Sequence, residues 1–168
     1  MNIKRILNHL GTPDSLLLKD CTPRFISDLK NAISKSEKEH ASELRVIFEA
    51  GLSLPQLLRC PTARHRAIEV FSLARVWDTE HNTGVLIYLQ LADRSLEIVV
   101  DRTVARAVES KIWVQLAESF KDRVKSVGLT AALLQIVDQI SLVLVEKLPY
   151  QGLTPKQNEL ADAPEQLK

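Results

Sequence analysis

Apolar positions recur with two different periods along this chain, and the alternation between them predicts its elements. From Pro23 to His40 the residues Phe25, Leu29, Ala32, Ile33 and Ser36 mark one face at three- and four-residue steps, which is helical spacing. Thr22 stands as the N-cap and Pro23 at the first helical position, where its missing N–H is no loss. The stretch "SKSEKEHASE" reads as the charged outer end of that helix. In "ELRVIFEAGL" the period shortens to two. Leu44, Val46 and Phe48 alternate with Arg45, Ile47 and Glu49, which predicts a strand closed by Gly51. "LSLPQLLRCP" reads as a loop or a helical turn. Thr62 then caps a helix with Ala67, Val70, Phe71 and Ala74 inward, ending near Trp77.

Two apolar runs follow, Gly84–Leu91 and Leu96–Val100, separated by "ADRS". They predict a β-hairpin turning at Asp93–Arg94, and the lack of glycine there favours a type I turn. The first run is apolar at almost every position, as a central strand covered on both faces requires. Thr103–Val108 reads as a helical turn. Ser110 can cap a helix with Ile112, Trp113, Leu116, Ala117, Phe120 and Val124 on one side, closed by Gly128. Leu129–Leu148 is apolar nearly all round, but Gln135, Asp138, Gln139, Ser141 and Glu146 interrupt it. Asp138 alone is costly in lipid, so a helix packed on the sheet is expected rather than a membrane span.

Helix, strand, helix, strand, strand, helix, helix is the order of an α/β protein. It predicts a three-layer α/β/α sandwich with a small mixed sheet: one parallel βαβ unit, a β-hairpin, then two C-terminal helices. Residues 23–148 make this domain, residues 1–22 a docking helix and linker, and residues 149–168 a polar, proline-bearing loose tail. In the N-terminal segment Ile3, Ile6, Leu7 and Leu10 share one helical face, with Lys4 and Arg5 outside it. A helix docked on the domain by that stripe is expected, with a membrane-surface helix as the alternative.

Composition narrows the partners more than the fold. The 168 residues suit one domain, and 45% hydrophobic with 26% charged residues is globular rather than disordered. Lys and Arg number 22 against 21 Asp and Glu, a balance that argues against duplex nucleic acid as a partner. Cys21 and Cys60 have neither metal-site spacing nor a CxxC partner. No sorting signal or transmembrane segment is recognisable, so a cytoplasmic monomer is expected. There is no Gly-rich phosphate loop, HExxH or GxSxG, and nothing implies an organic cofactor.

The hairpin has a geometric consequence for the polar residues. It returns the end of the second run, at Asp101, beside the start of the first, at Gly84. The loop Asp78–Thr83 leads into that start, and a parallel first strand brings Glu43 to the same edge. Asp78, Glu80, Asn82, Asp101 and Glu43 thus form a candidate oxygen-ligand set for a hard cation, Ca²⁺ or Mg²⁺. The competing explanation is structural: loop and turn residues, with Asp101 or Thr103 capping the next helical turn. His81 could join a metal set, whereas His9, His40 and His65 show no partner in the sequence.

The run "ARHRAIEVFSLARVWDTEHNTGVLIYLQLADRSLEIVVDRTV" resembles the TPM domain family, in particular its compact bacterial branch. The resemblance is carried by Glu43–Arg45, Trp77–Glu80, Asn82, Gly84–Leu89, Ala92–Arg94, Glu97–Val99, Asp101 and Arg102. Trp113, Phe120, the final apolar helix and "NEL" at Asn158–Leu160 extend it. It implies an α/β/α sandwich, divalent-cation binding at the loop "DTEHNTG", acid phosphatase activity in some relatives, and roles in membrane-complex maintenance. Thr83 and Thr103 depart from the family pattern, Thr83 at a place usually acidic or amide. Two functions therefore stay open. One is a binding or interaction module, with an unidentified protein partner in a membrane-associated complex. The other is a metal-dependent phosphatase acting on small phosphomonoesters. An apolar docking face of Ile3, Ile6, Leu7, Leu10 and Leu16–Leu18 would serve the first.

Overall fold

A computed structural model describes residues 3–13, 15, 21–152 and 158–167. Its elements run α1 (Ile3–Leu10), α2 (Pro23–Ser36), β1 (Glu43–Glu49), α3 (Leu54–Arg59), α4 (Ala63–Leu73), β2 (Gly84–Gln90), β3 (Ser95–Val100), α5 (Arg102–Ala107), α6 (Ser110–Val127), α7 (Leu129–Lys147) and β4 (Glu165–Leu167). The sheet order is β3-β2-β1-β4. β1 lies parallel to both β2 and β4, and β2–β3 is the antiparallel hairpin. Thr22 accepts a hydrogen bond from the Phe25 N–H and Thr62 from the His65 N–H, so both act as N-caps. Gly128 closes α6 at φ 82°, a left-handed conformation that favours glycine. Two boundaries differ from the sequence reading. Glu109 rather than Ser110 is the N-cap of α6, and α4 stops at Leu73, with Arg75 left-handed at φ 52°.

Strand alternation sends the two halves of each strand to opposite layers. Leu44, Val46, Phe48, Val85, Ile87, Leu89, Leu96 and Ile98 face a large core completed by α2, α6 and α7. Ile47, Leu86, Tyr88 and Val99 face a smaller one against Ala67 and Val70 of α4 and Val76. α7 is long and apolar enough to cross a membrane. Here Leu133, Ile136, Val137, Ile140 and Leu144 are buried in the larger core, so its apolar character serves packing.

Three expectations are corrected. The loose tail after residue 149 does not hold for residues 158–167, which return to the sheet as β4. Arg45 fastens them, donating from NH1 to the carbonyls of Ala161 (2.7 Å) and Ala163 (3.1 Å) and pairing with Glu165. The end of α2 is not simply charged and outward, because Glu37 and His40 are buried. Glu37 Oε1 accepts the Leu44 N–H at 2.6 Å, His40 Nδ1 accepts the Ser42 N–H at 3.2 Å, and His40 Nε2 meets Ser36 Oγ at 2.7 Å.

The third correction concerns α1, which docks by its polar face. Arg5 Nε and NH2 donate to the two oxygens of Asp93 at 2.9 and 2.8 Å, and NH1 donates to the Cys60 carbonyl at 3.0 Å. His9 is buried. Its Nδ1 accepts the Leu52 N–H at 3.0 Å, and its Nε2 sits 3.1 Å from Asp93 Oδ1, close enough to pair though off the line of an ideal hydrogen bond. A Cβ on Gly51 would lie 2.4 Å from the His9 carbonyl, so the close approach of α1 requires glycine there. Ile3, Leu7 and Leu10 consequently point outward, 73%, 64% and 63% exposed, while Ile6, the fourth residue of the stripe, is half-buried. Leu16–Leu18 lie outside the described residues.

Candidate functional site

The edge anticipated from the hairpin is assembled by backbone pairing. Glu43 stands opposite Gly84 in the β1–β2 register, and the Asp101 N–H donates to the Gly84 carbonyl at 2.9 Å from the other side. The Glu43 N–H donates to the Thr83 carbonyl (3.3 Å) and the Thr103 N–H to the Asn82 carbonyl (3.2 Å), while Thr103 Oγ1 donates to the His81 carbonyl (2.8 Å). Residues 82–84 are therefore threaded between the start of β1 and the end of β3. The loop closes on itself: the Thr83 N–H donates to Thr79 Oγ1 at 2.9 Å, and Asn82 takes the left-handed φ of 55° that asparagine tolerates. Gly84 is set by space. A Cβ there would lie 1.9 Å from the Val76 carbonyl oxygen, which fills the place a side chain would need.

The candidate ligands separate into two groups. Asp101 is 9% exposed and caps α5, its Oδ1 accepting the Arg102 N–H at 2.6 Å. Its Oδ2 is buried with no hydrogen-bond partner among the described residues. Glu43 is buried too, its Oε2 accepting the Leu160 N–H at 3.4 Å. Glu43, Gly84 and Asp101 thus stand in one row across the sheet, with the Val76 carbonyl over the glycine. Asn82 is a backbone neighbour of this row. Asp78 is drawn off into an ion pair with Arg75, and both are substantially exposed. Glu80 and His81 are exposed; the Glu80 N–H donates to Glu159 Oε2 at 2.8 Å. Among the described residues no three or more His, Cys, Asp and Glu side chains gather as a metal-holding group. Glu159 and Leu160, within the returning segment, close this edge in a way strand periodicity did not anticipate.

A second polar constellation sits at the opposite, carboxyl ends of β1 and β2. Arg66 of α4 is buried at 3% exposure and donates from Nε to Glu49 Oε2 (2.9 Å) and from NH2 to Glu49 Oε1 (2.5 Å). Its NH1 pairs with Glu69, which also accepts from Cys60 Sγ at 3.3 Å. The Tyr88 hydroxyl donates to Glu49, Gln90 Nε2 donates to the Tyr88 hydroxyl at 3.1 Å, and Gln90 Oε1 accepts the Ala92 N–H at 3.1 Å. Burial works to lower Arg66, but the Glu49 hydrogen bonds and charge outweigh it, so the guanidinium stays protonated. Burial and the Glu49 charge together push the Tyr88 phenol far above its ordinary value, so it remains a donor. Every polar group in this set is matched, which makes it structural. Sequence reading passed over it. The available signal was that Glu49 and Gln90, register partners at the carboxyl ends of the two central strands, share one row.

The family model described as the TPM domain matches residues 22–143. Among curated proteins none matches. The NMR structure of the BA42 protein from the psychrophilic bacterium Bizionia argentinensis superposes with a TM-score of 0.73 at 21% sequence identity. The match covers 86% of this chain and 94% of that one, and it establishes the same fold.

Proposed function

This chain belongs to the TPM domain family, and from that premise we propose that it is a binding domain whose sheet edge at residues 78–84 and 101 takes a hard divalent cation, Ca²⁺ or Mg²⁺. One observation carries the proposal: Asp101 Oδ2, a carboxylate oxygen held buried without a hydrogen-bond partner. Leaving such an oxygen unmatched costs on the order of 1–3 kcal/mol, and a cation is one way to recover it. Asp101 is the central ligand, with Glu43 and the Asn82 amide as the other protein donors. Asp78 and Glu80 are outer candidates, and Asp78 must first leave Arg75. When bound, the ion supplies a fixed positive charge between two buried carboxylates. Two carboxylates and an amide make a weak oxygen set, so the expected Kd lies at about 10⁻⁴–10⁻³ M.

Ca²⁺ or Mg²⁺ titration followed by amide NMR tests this. Shifts centred on Glu43, Asp78–Gly84 and Asp101–Thr103 are expected, and their absence at millimolar metal refutes it. Asp101→Asn keeps the helix cap, since asparagine and aspartate cap about equally well, and loses the titration. Metal-dependent phosphate release from a small phosphomonoester, abolished in Asp101→Asn, would replace the binding reading with a catalytic one.

A further inference from the structure

In water an amphipathic helix lowers its free energy by turning its apolar stripe inward. α1 does the reverse. Arg5 and His9, one turn apart, fix its polar face to Asp93, Cys60 and Leu52, so Ile3, Leu7 and Leu10 are held out in solvent. α3, which packs beside α1, also presents apolar side chains: Leu54 and Leu58 are 46% and 61% exposed. Two neighbouring short helices thus both present exposed aliphatic side chains, and the orientation of α1 is set by partly buried ionic contacts.

We propose that this α1–α3 surface docks the domain on a bilayer containing anionic phospholipid. The chemistry of the face selects lipid over protein. Its exposed large hydrophobic side chains are only Ile and Leu, without the Tyr or Trp anchors that dominate protein interfaces. Charge points the same way. The chain as a whole is nearly neutral, yet with Arg5 turned inward onto Asp93 these helices still carry Lys4 and Arg59 and no carboxylate of their own. Lys4 is exposed beside the stripe, and Arg59 is 65% exposed with Glu69 on one side at 3.3 Å. Aliphatic stripes flanked by cations suit the boundary between acyl chains and acidic headgroups. The surface adjoins Gly51 and Asp93, at the end of the sheet opposite Asp101, so its occupation is independent of the cation edge.

Co-sedimentation of the full chain with phosphatidylcholine vesicles, with and without phosphatidylserine, tests the proposal. Binding is expected to the phosphatidylserine vesicles, weakening as salt is raised. Leu7→Glu and Leu58→Glu should each lower the bound-to-free ratio at least about tenfold with an unchanged melting temperature, since both side chains are solvent-facing. Leu142→Glu, at an exposed site on α7, should bind like the wild type. Absence of wild-type binding, or equal binding by both glutamate variants, overturns the proposal. So does a concentration-dependent dimer that Leu7→Glu dissolves without any vesicle binding, which would give the face to a second copy.

Discussion

Arg66→Met should be among the most destabilising single substitutions in this protein. Methionine replaces the buried aliphatic stem with an unbranched side chain, so little packed volume is lost. What goes is the guanidinium, with two hydrogen bonds to Glu49 and one to Glu69. Glu49, 1% exposed, is left as a buried carboxylate whose remaining side-chain donor among the described residues is the Tyr88 hydroxyl. Removing one partner of such a pair costs about 3–5 kcal/mol, most of it the uncompensated charge. For a chain of this size that lowers Tm by roughly 6–20 °C. The reasoning makes a sharper claim about the double variant. Glu49→Gln removes the stranded charge and still accepts from Tyr88. Glu49→Gln/Arg66→Met should therefore be about 2 kcal/mol or more stabler than Arg66→Met alone. Urea denaturation of the wild type, both singles and the double completes the cycle. Additive costs for the two substitutions would refute the account, because they would mean the charges do not sense each other.

Two further perturbations probe the ends of the sheet. Burial raises the Asp93 carboxyl, but the hydrogen bonds from Arg5 and the contact with His9 outweigh it and hold it below the ordinary carboxylate value. The stability this contributes is present above the unfolded-state value of about 4 and is lost as pH falls through the folded-state value. The attachment of α1 should then be constant above about pH 4 and weaken as pH falls below it; amide-exchange protection of Ile6–Leu10 that does not decline with acidification below about pH 4 would contradict this. At the other end, Gly84→Ala forces a Cβ into the Val76 carbonyl and should cost about 3 kcal/mol, read by urea denaturation, with a near-neutral result showing that the loop can shift aside.

The elements legible in the sequence are those whose stability is local or periodic. The apolar runs of β2 and β3, the stripe of α2 and the caps at Thr22 and Thr62 follow from patterns a few residues wide. So does the meeting of Glu43 and Asp101 across Gly84, because a hairpin and a parallel unit leave little choice of edge. The rest depends on distant partners. The pattern of α1 shows that it has two faces, but not which one docks; Asp93, 88 positions from Arg5, decides that. β4 has only three residues and no period of its own, and its place is fixed by an arginine about 120 positions away. Arg66 adjoins the stripe of α4, where a charged side chain ordinarily reads as solvent-facing. The pairing of Asp78 with Arg75 was within reach of a local reading, since the two are one helical turn apart.

The Glu49–Arg66 pair also acts as a parity check on the sheet. Side chains alternate faces, so sliding β1 by one residue against β2 would turn every odd position even. Two apolar faces cannot detect that error, because Ile47 and Val46 are equally content in either layer. Glu49 can. A one-step slip would aim its carboxylate into the apolar layer beneath α2 and α7 and strand Arg66 on the other side. The chain thus carries, in this buried pair and in Arg45 on the same face, information that says which of two otherwise plausible alignments is correct.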